Sequence, residues 1–89
     1  MSTAIWKANL YVTDVQQLLL PPCKFLSVAM QYGDPCIWFL VSDTNAERVE
    51  CNIYMVKTGE PCDSMFDKQF VGTLLMYGGK LVLHVFVDA

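Results

Sequence analysis

The chain has 89 residues, of which 54% are hydrophobic and 17% charged, and its formal net charge is −3. That length holds one domain with one modest core. Six bases (Lys7, Lys24, Arg48, Lys57, Lys68, Lys80) are spread singly among nine acids; this argues against duplex nucleic acid as a partner, because counterion release needs several cations on one face.

The dominant period along the chain is two, the mark of strands. A first strand is predicted from Ile5 to Val12, where Trp6, Ala8, Leu10 and Val12 alternate with Lys7, Asn9 and Tyr11. Thr13-Asp14 breaks it. A short second strand runs from Gln16 to Leu20 and is closed by Pro21-Pro22. Prolines donate no ladder hydrogen bond, so this strand belongs at an edge or stops abruptly. The third strand spans Lys24 to Tyr32, with Leu26, Val28, Met30 and Tyr32 in one row and Phe25, Ser27, Ala29 and Gln31 in the other. The turn signal Gly33-Asp34-Pro35 joins it in a hairpin to the fourth, Cys36 to Val41. The fourth strand is apolar on both faces, which marks a central strand covered on both sides.

Ser42 to Glu47 is a polar loop with room for a single helical turn. The fifth strand, Val49 to Val56, has the cleanest alternation: Val49, Cys51, Ile53 and Met55 against Glu50, Asn52 and Tyr54. Thr58-Gly59-Glu60-Pro61 stops it. Cys62 to Lys68 lacks a strand period and reads as a loop or one short helical turn. The sixth strand, Phe70 to Tyr77, and the seventh, Lys80 to Val87, meet at Gly78-Gly79, a tight hairpin signal. The expected fold is mainly β, a single domain over residues 1–89. It is a small antiparallel β-sandwich or partly open barrel of about seven strands, with at most one short helical turn.

No run of about 18 apolar residues occurs, so no membrane-spanning helix is predicted. The first residues lack the basic start and apolar stretch of a signal peptide, and a cytoplasmic location is expected. Cys23, Cys36, Cys51 and Cys62 have long, irregular gaps and no C-x-x-C pair. Free thiols are therefore expected, with Cys36 and Cys51 as core residues and no metal site. His84, the one histidine, lies between Val82 and Phe86 on one face of the last strand. It could serve as a base or a ligand, but a hydrogen-bonded place on a partly covered sheet face is the commoner role.

No phosphate-binding, dinucleotide, zinc-protease or nucleophile-elbow motif is present. A Cys–His pair would also need an activated thiol and an oxyanion site, and nothing in the sequence brings these together. No enzyme activity and no cofactor are expected. Three acids, Glu60, Asp63 and Asp67, fall close together but are a thin imitation of a nucleic-acid backbone. Tyr11, Phe25, Tyr54, Tyr77 and Phe86 fall opposite the core row of their strands. With His84, they form the candidate binding set. In a sandwich some of them fill the second sheet's inner face; on a single sheet they are exposed anchors for a partner.

A set of fragments in this chain is similar to a family of short proteins from tailed phages and prophages. The longest is Pro22-x-Lys24-x-Leu26-Ser27-Val28-x-x-Gln31-x-Gly33-x-Pro35-Cys36-Ile37-Trp38-x-Leu40-Val41. Thr58-Gly59-x-Pro61, Phe70-Val71-Gly72-Thr73 and Gly79-x-Leu81-Val82-x-His84-Val85-Phe86 follow, and Ile5-Trp6-Lys7 opens the chain in the same manner. The resemblance implies a phage or prophage origin and expression in the cytoplasm of a bacterial host. It brings no catalytic residue with it. Together with the apolar surplus, it leads to the expectation of a phage accessory protein that binds a host protein and inhibits a host factor or defence system, in the anti-CRISPR manner. Two alternatives stand beside it: a minor virion or assembly protein, and a protein that sequesters a nucleotide signal. The surplus of apolar residues further predicts a homodimer.

Overall fold

A computed structural model describes residues 2–88. Seven strands form two antiparallel sheets: β1 (Ala4–Asn9), β2 (Val15–Leu20), β3 (Cys23–Gln31), β4 (Asp34–Val41), β5 (Val49–Lys57), β6 (Gln69–Met76) and β7 (Leu81–Val87). The first sheet has the order β1-β4-β3 and the second β2-β5-β7-β6. They pack face to face as a sandwich, without closing into a barrel. Two lone 3-10 turns, Asp63–Met65 and Tyr77–Gly79, complete the structure. No helix among the described residues is long and apolar enough to cross a membrane.

Inward residues of both sheets build one core. Ile37, Phe39 and Val41 of β4 meet Ile53 and Met55 of β5, Leu74 of β6, and Leu83, Val85 and Val87 of β7. The rings of Trp6 and Phe25 lie 6.4 and 6.0 Å from that of Phe39, with Trp6 edge-on. The alternation of β5 is the predicted one, and β4 is central, flanked by β1 and β3. Its second face is not covered by another layer, however. Trp38 and Leu40 are half-buried there. Lys7 Nζ reaches from β1 over that face to Gln31 Oε1 on β3, 2.6 Å away. Long neighbouring side chains thus shield an apolar row with their stems.

Three departures from the sequence reading have local causes. β1 ends at Asn9, short of Val12, because the Gln16 side chain captures the backbone of Tyr11. The Tyr11 N–H donates to Gln16 Oε1 (3.0 Å) and Gln16 Nε2 donates to Tyr11 O (2.8 Å). The turn after β3 is Tyr32-Gly33, both at positive φ (51° and 83°), so Pro35 lies within the start of β4. In β3 a bulge between Phe25 and Ser27 resets the alternation. Cys23 and Phe25 point inward before it, Val28 and Met30 after it, and Leu26 is left exposed. A bulge inserts one extra residue and exchanges the faces beyond it.

The two sides of the sandwich differ. On one side β3 and β6 approach closely. A methyl group on Gly72 would lie 2.8 Å from Val28 Cγ2 and 3.6 Å from the Val28 amide nitrogen. Any side chain at this position would force Val28 or the strand to shift. On the other side β1 and β2, also edge strands, make no comparable contact with each other, and Arg48 lies over the Trp6 ring at 5.2 Å.

Candidate functional site

The outward face of the four-stranded sheet gathers the polar and aromatic groups that alternate with the core row. The ladder register aligns Val15, Tyr54, Phe86 and Phe70 in one row across β2, β5, β7 and β6. A second row is Val56, His84 and Thr73, and a third is Val82 and Leu75. β5 and β6 run parallel with β7 between them, so their connection must travel back along the sheet. Residues 58–68 do this as a strap across the outward face.

The strap is tied at both ends. Near its start, Thr58 Oγ1 is 2.7 Å from His84 Nε2, while Thr73 Oγ1 is 3.1 Å from His84 Nδ1. Near its end, Lys68 Nζ lies 5.5 Å above the Tyr54 ring and 3.7 Å from Asp88 Oδ1. Between strap and sheet is a cleft of about 570 Å³ whose walls include Asp14, Val15, Tyr54, Val56, Glu60 and Met65. Phe66, on the strap, is 99% exposed. Phe70 is 55% exposed and packs edge-on against Phe86, with ring centroids 5.4 Å apart.

A polar chain runs from the sheet's edge to its end. Gln17 Nε2 donates to Asn52 Oδ1 (3.0 Å), Asn52 Nδ2 donates to Asp88 Oδ2 (3.0 Å), and the Tyr54 hydroxyl donates to Asp88 Oδ1 (2.9 Å). The hydrogen bonds from Asn52 and Tyr54, aided by Lys68, hold the Asp88 carboxyl below its usual range. The same bond pushes the Tyr54 phenol up, since ionising it would place two negative charges together.

Of the predicted binding residues, the fold brings Tyr54, His84 and Phe86 together on this face. Tyr11 and Tyr77 lie beyond the strand ends, exposed at the end of the sandwich that carries the Gly33 turn. Phe25 does not face outward: the β3 bulge turns it into the core, against Phe39. Both ring nitrogens of His84 are engaged by threonine hydroxyls, so the imidazole tethers the strap. Phe66, Phe70, Asn52, Lys68 and Asp88 escaped the sequence reading. Asn52 shares the outward row of β5 with Tyr54, which is a readable signal. The positions of Phe66 and Lys68 depend on where the strap crosses, and no local pattern encodes that.

A second cleft, of about 420 Å³, opens at the opposite end of the sandwich, lined by Cys23 from one sheet and Cys51 from the other. All four cysteines are free thiols. Cys36 is buried as predicted, with its Sγ–H directed to Asn9 Oδ1 at 3.3 Å. Cys51 packs against the core as predicted but is only half-buried, because it also lines this cleft near the start of β5. Burial, with Cys51 nearby, pushes the Cys23 thiol up to about 11. Burial, with Asp88 nearby, raises Cys51 too. Both stay protonated at neutral pH, which makes them weak nucleophiles. Among the described residues, no three His, Cys, Asp or Glu side chains are arranged to hold a metal.

The family model described as "Domain of unknown function (DUF7352)" matches residues 1–89. No curated protein and no solved structure gives a significant match.

Proposed function

The chain belongs to the DUF7352 family, and we propose that it is a binding module that holds a protein partner on the outward face of its four-stranded sheet. Phe66 carries this reading. Its ring is 99% exposed on a strap whose two ends are tied to the sheet. Burying a phenylalanine fully is worth roughly 2–3 kcal/mol, and this ring gains none of that within the chain. A large exposed aromatic on an anchored segment is the kind of group that dominates binding at a protein interface, and the sheet adds the half-exposed Phe70. The concrete version is a small phage-encoded accessory protein that inhibits a host factor or defence system. The sequence similarity to tailed-phage proteins and the aromatic face both support it. The strap cleft offers Asp14 and Glu60 in its walls and no lysine or arginine, which is poor lining for a phosphate-bearing nucleotide.

The test is affinity capture from a bacterial host lysate on immobilised chain, comparing wild type with Phe66→Ala. The wild type should retain a partner in stoichiometric amount, and Phe66→Ala should weaken that retention by about tenfold or more. Thermal melts of the two chains should coincide, because Phe66 packs on nothing. Equal retention by both chains, or none by the wild type, overturns the proposal.

A further inference from the structure

The sandwich has four edge strands, and they are protected unequally. β3 and β6 each carry a bulge, between Phe25 and Ser27 and between Phe70 and Gly72, and they lie against one another. β1 carries Lys7 at its middle. Bulges and edge lysines are the usual devices that stop a free edge from pairing with another chain. β2 has none of them. Its sequence is Val15-Gln16-Gln17-Leu18-Leu19-Leu20, without charge or proline, and its register with β5 is unshifted.

The orientation of its free groups follows from one hydrogen bond. The Met55 N–H donates to Asp14 O at 3.0 Å. Along an antiparallel ladder, residues alternate between facing the partner strand and facing away. Asp14, Gln16, Leu18 and Leu20 therefore direct their backbone groups to β5. Val15, Gln17 and Leu19 direct theirs to the open edge. Among the described residues, no turn or loop backbone group bonds to these three.

We propose that β2 pairs antiparallel with β2 of a second copy of this chain, about a two-fold axis at Gln17, to form one continuous eight-stranded sheet. In this register Gln17 faces Gln17 of the second copy, and Val15 and Leu19 face its Leu19 and Val15. Each of these pairs exchanges two backbone hydrogen bonds, so all the free N–H and C=O groups of the three residues are satisfied. The register also sets Val15, 51% exposed, beside Leu19, 69% exposed, twice across the axis. The occupant is a second copy because the edge is complementary to itself: an apolar residue at either side of a central amide. Charge points the same way. Two chains of net charge −3 repel, and β2 is a strand where neither presents a charge. The pairing also places both strap faces on the same side of the joined sheet, so the dimer would offer a partner two copies of Phe66.

Sedimentation of the wild type at about 100 µM should show a dimer. Leu19→Lys adds an edge charge at an exposed site and should weaken dimerisation at least about tenfold while leaving the thermal melt of the monomer unchanged. For the register, Gln17→Cys is made together with Cys62→Ser, which removes the exposed thiol. Under mild oxidation it should form a disulfide-linked dimer where the Cys62→Ser parent does not. A wild-type monomer at that concentration, or a Leu19→Lys chain that associates as tightly as wild type, overturns the dimer. Failure of Gln17→Cys to cross-link overturns the register. These outcomes are independent of whether Phe66 binds a partner.

Discussion

The two sides of this sandwich are held by different physics. On the β3–β6 side the strands lie so close that Gly72 has no room for a side chain beside Val28. That side is stabilised by apolar close packing. On the β1–β2 side Trp6, Leu18 and Leu20 still pack on the core, but the two edge strands make no comparable contact with each other, and the further ties are polar and exposed: Gln16 on the Tyr11 backbone, and Gln17 through Asn52 to Asp88. Packing is short-ranged and insensitive to pH or salt. Exposed hydrogen bonds and charges are individually weak and respond to both. The contrast leaves the open edge and the strap as the parts with groups available for contacts with other molecules.

The largest effect should come from breaking the closed side. Gly72→Val places branched carbons where Val28 already sits, and overpacking of this kind costs about 2–3 kcal/mol. Denaturant unfolding monitored by circular dichroism checks it. Gly72→Ala should cost less, and adding Val28→Ala to it should cost less than the sum of the two single changes, because the second removes the atom that the first meets. Strict additivity would mean that the two strands part without strain.

The closed side was also where reading the sequence failed most instructively. The strand count, the central place of β4, the core row of β5 and the two hairpins were all legible, because they follow from a period of two and from local turn residues. The β3 bulge was not. Phe25 and Leu26 are both apolar, so nothing in the residue types marks where the alternation shifts; an unbroken alternation sets Phe25 outward, whereas it packs on Phe39. Likewise Val12 continued the pattern of the first strand, but Gln16 ends that strand through its side chain. The candidate face was half legible. Tyr54, His84 and Phe86 show as alternating residues on predicted strands. The strap that brings Phe66, Lys68 and Thr58 onto them depends on β7 lying between β5 and β6, which is a property of the topology and not of any segment.

A smaller effect is expected at the strap, midway between the two sides. His84→Ala removes the hydrogen bonds to Thr58 and Thr73. Two bonds to a half-exposed group contribute about 1–2 kcal/mol together. The loss should be local. Hydrogen exchange should quicken for residues 58–68, and the amides of β3 and β6 should keep their protection. Equal acceleration on the closed side would show that the strap is part of the core's cooperativity and not a layer upon it.

The smallest effect concerns the open side and is visible mainly through pH. The Asp88 carboxyl accepts from Asn52 and Tyr54 and lies near Lys68, and these hold it below its usual range. A carboxyl depressed in the folded state favours folding wherever it is ionised. The contribution is complete above its unfolded value, near pH 4, and is lost as the pH falls through the folded value. Asp88 is half-exposed, so solvent screening limits the gain to under about 1 kcal/mol. Asp88→Asn should therefore melt slightly below wild type at neutral pH, and the two curves should converge as the pH falls through the carboxyl's lowered folded value. Salt should narrow the neutral-pH gap, because Lys68 acts across an exposed path. If β2 pairs with a second copy, the tie matters doubly: Gln17 lies on the proposed axis and reaches Asp88 through Asn52. Loosening that chain should then weaken dimerisation in Asp88→Asn at pH 7 and leave the closed side's exchange rates as they are.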